Sequence, residues 1–420
     1  MDGNAGTTVP AASDPEFEAQ ERASRRRARR RQLAVVVAVL VVVTAGVGWA
    51  THGFSRGAGG LLGAISPHCP PTIGLNGSGS TLISPLMQEW VRAYSDAAST
   101  REQGCVIVLP TYSSPGASAG LQSLGAGGTE FVATEQPLNA DARANLPAPT
   151  LTLPLAAGAV AVAYNVPGIG GGLNLSGSVL AGIYLGAITT WDAAPIAELN
   201  PGLSLPATPV TVVHESVGSS SSYVFTGFLS AVNATWATDV GQGSSVDWPA
   251  GVAVGGDAST GDLLQNTTGA IGYLGLGSAL AIGLTCAKVE NPAGKFVAPS
   301  PSTVFAALTA NKATLPLGNE SWQNVSLLDE PGNTSYPIAT FTYAIVYADL
   351  GRAFGGVLPL NVAQWIAAFL FWMSVAGQNY GASLGYAPFP SMVTNANQQI
   401  VELLQYDGVP ALGDVDYDGD

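Results

Sequence analysis

Positive charge is scarce in most of this chain. Of its 15 Lys and Arg residues, eight lie at or before Arg56, and only Arg92, Arg101, Arg143, Lys288, Lys295, Lys312 and Arg352 follow. Set against 29 Asp and Glu, this leaves the part beyond Arg56 strongly acidic and excludes a surface built to neutralise nucleic-acid phosphates. Charge of either sign is rare, at 10% of residues. The exterior must therefore be made mostly of Ser, Thr, Gly, Asn and Ala. Such a surface fits an acidic external milieu, where few carboxylates ionise. Three scattered His and three well-separated Cys give no metal-ligand spacing, and no cofactor is implied. What is abundant is apolar: 47% of 420 residues, enough for a large core and a length that suggests two domains with extras.

Long apolar runs are equally rare. One stands out, residues 33–50, 18 residues without a charge and rich in Val, Ala and Leu. A helix of that length roughly spans a bilayer. The block from Arg22 to Arg31 precedes it, so the positive-inside rule places residues 1–32 in the cytoplasm and the remainder outside. The expectation is a single-pass anchor in the cell membrane, with cleavage near Ala50 giving a secreted form as the alternative. Residues 51–69 read as a Gly-rich linker. Outside the membrane a disulfide persists. Cys69 precedes the first strand-like run and Cys105 begins the second, so a Cys69/Cys105 bridge is expected, with Cys286 free and buried.

Three Gly- and hydroxyl-rich turns follow strand-like runs and precede helix-like ones. They are Gly77-Ser78-Gly79-Ser80-Thr81, Gly116-Ala117-Ser118-Ala119-Gly120 and Gly218-Ser219-Ser220-Ser221-Ser222. A helix N-terminus presents unpaired N–H groups and the positive end of the macrodipole, so it attracts anions. Singly such turns cap helices; together they suit one small oxyanion. Alternating runs predict an α/β fold, with strands at 72–75, 106–109, 131–134, 159–164, 210–213 and 270–273. Helices are expected at 85–97, 178–185, 222–229, 301–309 and 360–376, the last a buried core helix carrying Trp365, Phe369, Phe371 and Trp372. Residues 407–420 read as a frayed acidic tail. Its Asp414, Asp416 and Asp418 resemble the start of a calcium loop but lack the distal Glu. Seven Asn-x-Ser/Thr sequons matter only in a host that glycosylates exported proteins. The second turn also matches Gly-x-Ser-x-Gly, so Ser118 with His214 and Asp192 offers a serine-hydrolase reading.

Several segments resemble the substrate-binding proteins of phosphate ABC transporters. They are 77–85, 129–138, 183–192, 200–203, Val212-Val213-His214 with Gly218-Ser219, 268–273 and 384–390, in the family's order. The likeness covers roughly 70–405. It implies a two-lobed periplasmic-binding-protein-like (type II) α/β fold with two crossover strands. The first lobe would comprise 70–153 and 337–408, the second 154–336, and 409–420 the acidic tail. The crossings would lie at 151–164 and 336–347. The implied partners are inorganic phosphate or a related oxyanion, ABC permease subunits and, through the N-terminal helix, the membrane. The protein would be a monomer and not an enzyme.

By that resemblance Thr81 and Leu82 match the first-lobe contacts to phosphate. Ser219, Ser220 and Ser221 stand for the Ser-Gly-Thr contact, and Glu135 for an aspartate that accepts a phosphate proton. Ala117 falls where a serine binds, with Ser118 adjacent. The family's anion-pairing arginine is Glu215 here, and that arginine's carboxylate partner is Val217. Arg offers an oxyanion a permanent bidentate charge, whereas an ionised Glu repels it. Three readings follow: a low external pH at which a neutral Glu215 hydrogen-bonds a protonated oxyanion, a neutral or cationic ligand, or a surface protein that kept the fold and lost the ligand. His214 reads as a strand-end side chain turned away from the cleft.

Overall fold

The computed structural model describes residues 72–101, 108–216, 218–310, 315–316 and 320–412. The expected anchor (33–50), its flanks, Cys69 and Cys105 lie outside these residues. Among the described residues no helix is long and apolar enough to cross a membrane.

The strands in chain order are β1 (Ile73–Gly79), β2 (Val108–Ser113), β3 (Phe131–Thr134), β4 (Thr150–Asn165), β5 (Asn174–Leu175), β6 (Thr211–Glu215), β7 (Val252–Val254), β8 (Ala270–Gly275), β9 (Lys288–Glu290), β10 (Phe296–Val297), β11 (Ala339–Tyr347), β12 (Gln405–Tyr406) and β13 (Val409–Pro410). Eight form one sheet in the order β2-β1-β3-β11-β4-β8-β6-β7. β1 runs parallel to β2 and β3, and β6 runs parallel to β7 and β8. Between these two parallel groups lie β4 and β11, antiparallel to each other and to their neighbours.

β4 is expected as a strand-like run at 159–164 and, by the resemblance, as a crossing at 151–164; it runs for 16 residues, all buried except its ends. Its first part pairs with β11 and its last six residues pair with β8. Small residues dominate it (Ala156, Ala157, Gly158, Ala159, Ala161, Ala163), as a strand covered on both faces requires. Helices follow the parallel strands: α1 (Ser84–Arg101) after β1, α2 (Ala117–Gly125) after β2, α3 (Ser220–Val232) after β6 and α4 (Gly256–Asn266) after β7. Two more, α5 (Leu360–Ser374) and α6 (Ser391–Glu402), pack on β4. In α5, Phe369 and Trp372 lie 4.7 and 5.3 Å from the Tyr94 ring of α1. Of the aromatic run expected to be core, Phe369 is buried, whereas Trp365, Phe371 and Trp372 are only half-buried. In α1 the buried Trp90 Nε1–H donates to Gly377 O at 2.7 Å, so its one polar atom is satisfied.

Three sequence expectations change here. Gly77 to Gly79 belong to β1, so the first turn begins only at Ser80. Cys286 is a free thiol but half-buried, its pKa pushed up to about 11 by desolvation. The start of the acidic tail is not frayed: β12 and β13 form a hairpin, and Asp407 and Gly408 both donate backbone N–H to the Asp349 carboxylate at 2.9 Å. That carboxylate also caps the helix Leu350–Ala353. Residues 413–420, with the calcium-loop-like aspartates, lie outside the described residues.

Candidate functional site

The carboxyl ends of the parallel strands carry the turns, and in open α/β sheets that edge is where ligands sit. The first turn is set by Gly79. Its φ is +131°, and a Cβ there would lie 2.2 Å from Ala133 O, the carbonyl that accepts the Ser80 N–H at 2.9 Å. Gly116 N–H donates to Gly79 O at 3.0 Å, joining the first turn to the second. The second turn meets the third, since a Cβ on Gly218 would lie 3.1 Å from Ser118 Oγ. In the third turn Ser219 is the N-cap of α3, its Oγ accepting the Ser222 N–H at 3.0 Å.

Around this junction lie three buried carboxyl groups. Glu135, just past β3, is 3% exposed. Its Oε1 accepts from Ser80 Oγ (2.8 Å) and Thr342 Oγ1 (2.7 Å), while Oε2 has no hydrogen-bond partner. Ser220 Oγ is near that carboxyl, close enough to favour its charged form, yet is itself without a hydrogen bond. Desolvation outweighs all three hydroxyls and raises the Glu135 pKa. Glu215, at the end of β6, is 2% exposed with Oε1 unpartnered. Its pKa is pushed well above the ordinary range, first by desolvation, then by the charge of Asp257 and a hydrogen bond to it, with a small push from Glu135. Asp257, in the first turn of α4, accepts from Gly275 N–H (3.0 Å), Ser278 Oγ (2.7 Å) and Ser221 Oγ (3.4 Å). No Lys or Arg contributes to either raised carboxyl.

Two cavities flank the cluster. One, of about 80 Å³, is lined by Ser118, Asn139, Ser220, Tyr223 and Ser244 among others, and one of about 140 Å³ by Glu135, Gln242, Gln323, Ser326 and Tyr343 among others. Neither is lined by Lys, Arg or His.

The expected residues are thus only partly assembled. Glu135, Glu215, Ser219, Ser220 and Ser221 converge. Thr81 sits at the edge of the cluster, beside Gly256. Leu82 is buried, and its N–H donates inward to Ser80 Oγ at 3.0 Å. Ser118 is exposed at the mouth and Ala117 is buried beneath it. Sequence reasoning missed Ser80, Thr342 and Asp257. Asp257 had a readable signal, because Val252-Ala253-Val254-Gly255-Gly256-Asp257 is a fourth strand, glycine turn and helix start. The hydrolase constellation does not assemble. The His214 ring stacks on Trp248 at 4.8 Å and its Nδ1 is engaged with Glu215 O, while Asp192 is exposed.

The raised carboxyls make folding proton-linked. A carboxyl raised in the folded state contributes stability that is complete below its ordinary value of 4.5 and lost as pH rises through the raised value. The slope is about 1.4 kcal/mol per pH unit for each extra proton held. His214, lowered by burial, acts oppositely below its ordinary 6.5. The diagnostic is therefore a difference. Thermal melting between pH 4 and pH 7 is expected to show a smaller loss on raising pH for Glu215→Gln than for the wild type. Parallel curves would mean that Glu215 is ionised like an exposed carboxylate.

Comparison with known proteins fits this geometry. Residues 55–375 match the family model for the PBP superfamily domain. The phosphate-binding protein PstS of Methanocaldococcus jannaschii is 31% identical over 353 residues, covering 80% of this chain and 87% of that protein. The chain belongs to the PstS phosphate-binding proteins. PstS2 of Mycobacterium bovis is 32% identical over 315 residues, covering 73% of this chain and 81% of that PstS protein. Among solved structures, a high-affinity periplasmic phosphate-binding protein with bound phosphate superposes with a TM-score of 0.60. It is 20% identical, covering 77% of this chain and 92% of that one. The phosphate-binding protein of Stenotrophomonas maltophilia gives 0.55 at 17% identity, covering 77% and 92%. At such identities these two speak for the fold alone, the α/β binding-protein fold expected for a PstS chain.

Proposed function

We propose that this chain is an extracytoplasmic solute-binding protein, not an enzyme, that captures inorganic phosphate or a related oxyanion and delivers it to an ABC permease. The observation that carries the reading is the convergence of Ser80 from the first hydroxyl-rich turn, Ser220 from the third and Thr342 from β11 on the Glu135 carboxyl. Membership of the PstS family supports the ligand class. Glu135, Glu215, Ser219, Ser220, Ser221, Thr81, Leu82 and Ser118 are the proposed ligand-binding set. Capture would occur between a lobe of 70–153 with 337–408 and a lobe of 154–336. The divided pairing of β4 supports two lobes, since the two strand groups share only β4 and β11 as a hinge, with the change of partner at Ala159 and Val160. Residues 33–50 would anchor the monomer in the membrane with the binding unit outside.

Isothermal titration of the purified chain with phosphate, sulfate and glycerol at pH 4 and pH 7 tests this. Saturable one-to-one phosphate binding at either pH is expected. Absence of phosphate binding at both would overturn the assignment. Among the described residues no basic side chain lies at the cluster, and this favours a second reading, an uncharged polyhydroxyl ligand, which saturable glycerol binding without phosphate binding would select.

A further inference from the structure

The strand β11, shared by the two strand groups, brings to the cluster one polar side chain that the proposed ligand-binding set does not include. Thr342 is fully buried, and its Oγ1–H donates to Glu135 Oε1 at 2.7 Å. Ser80 Oγ donates to the same oxygen at 2.8 Å. In the sheet β1 and β11 are the two neighbours of β3. Ser80 follows β1 and Glu135 follows β3, so the carboxyl is held from both sides of its own strand. Threonine is β-branched and stiff at χ1, which makes its hydroxyl a fixed donor.

The pairing of β11 is irregular at this point. It steps between Thr342, opposite Ala156, and Tyr343, opposite Pro154, which leaves Leu155 of β4 without a partner on β11. A bulge of this kind re-aims side chains. The bulge is itself held from outside the sheet. The Gln378 side-chain amide donates to Leu155 O at 2.8 Å, and that of the fully buried Asn397, from α6, donates to Pro154 O at 2.8 Å. Beyond the step, Tyr343 packs against Trp322 and Phe341 at 5.6 and 5.7 Å. The irregularity therefore falls at the residue that reaches Glu135.

We infer that Thr342 is a positioning residue of the anion site, which with Ser80 fixes the orientation of the Glu135 carboxyl before ligand arrives, and that the bulge at Leu155 sets Thr342 for that task. The inference rests on the proposed oxyanion site, with Glu135 as its carboxylate acceptor, and adds a residue that acts through Glu135. Its physical basis is preorganisation: an acceptor already locked by two donors loses no rotamer freedom when ligand binds. The titratable groups that bear on Glu135 are Tyr112 from β2, Glu215 from β6, Tyr343 from β11 and Tyr386, and none of them is cationic. Desolvation raises the Glu135 pKa, and the hydroxyls of Ser220, Thr342 and Ser80 oppose it.

The test is phosphate titration calorimetry of the purified chain and its Thr342 variants from pH 4 to pH 8. Thr342→Val keeps the shape and removes the donor. Phosphate affinity is expected to fall about 10-fold. The acid limb of the affinity profile, where Glu135 takes up its proton, should move to higher pH, because a lost donor leaves desolvation less opposed. Thr342→Ser keeps the hydroxyl and should restore most of the affinity and the wild-type limb. A residue that only filled the core would give the reverse order, since serine leaves the larger void. If Thr342→Val does not fold, Thr342→Cys, of similar size but only a weak donor, carries the same comparison. Wild-type affinity and pH profile in Thr342→Val, or a loss in Thr342→Ser as large as in Thr342→Val, would overturn this inference and spare the phosphate reading. A wild-type chain that binds phosphate at no pH would overturn both.

Discussion

Glu215→Arg is expected to bind phosphate at pH 7 about 10- to 100-fold more tightly than the wild type. A charge-assisted hydrogen bond contributes roughly 1.5–3 kcal/mol, and about 1.4 kcal/mol is a factor of ten. The argument turns on Asp257. In the resembled family the arginine has its own carboxylate partner, and here position 217 is Val217. Asp257 stands within hydrogen-bond reach of residue 215 and is anchored by Gly275 N–H and Ser278 Oγ, so it would receive a guanidinium as a paired charge. An unpaired buried charge would instead destabilise the chain by several kcal/mol. Calorimetric titration at pH 7 and pH 4 measures the effect, and the pH dependence should weaken as the affinity rises. A folded Glu215→Arg chain that binds phosphate no better than wild type at pH 7 would show that residue 215 does not face the ligand.

Gly79→Ala is expected to lower the stability of the chain by about 2–6 kcal/mol. The estimate sums a side chain at strained φ, roughly 1–3 kcal/mol, and overpacking, typically 1–3 kcal/mol. Both apply because φ is +131° and the new Cβ would meet Ala133 O at 2.2 Å. That contact is with backbone in β3, so no rotamer change relieves it. The one available relief, moving β1 outward, breaks the Ser80 N–H bond to Ala133 O and pulls Ser80 Oγ from Glu135. Urea unfolding gives the number, with Ser80→Ala as a control at about 1–3 kcal/mol for the hydrogen bonds it removes. A loss below about 1 kcal/mol for Gly79→Ala would mean that the turn relaxes freely.

Much of the fold was legible because its signals are local. β3 was expected at 131–134 and runs Phe131–Thr134, a short β-branched and aromatic segment with a turn on each side. The helix at 222–229 was expected short of Ser220–Val232 at both ends, because its Ser219 cap is not assigned by sequence, and that at 301–309 stops one residue short of Pro301–Ala310. Local pattern gave β4 only as 159–164, and it was the resemblance that extended it to 151–164, close to Thr150–Asn165. Its Ala- and Gly-rich first part carries little strand propensity by itself and is held extended by pairing with β11, more than 170 residues away.

The candidate site divides in the same way. Sequence by itself determined the hydroxyl-rich turns, the loss of the anion-pairing arginine to Glu215 and the scarcity of positive charge beyond Arg56, since these are matters of residue identity. Only the tertiary structure decided that Thr342 reaches Glu135, that Leu82 turns its amide inward, that His214 lies on Trp248 and that Asp257 stands beside Glu215. The physical reason is range. A cap or a turn is fixed by neighbours within a few residues, whereas Glu135 and Thr342 are 207 apart in the chain and meet only because β3 and β11 pair. Burial, which sets the protonation of Glu135 and Glu215, likewise comes into being only when the sheet and its helices close around them.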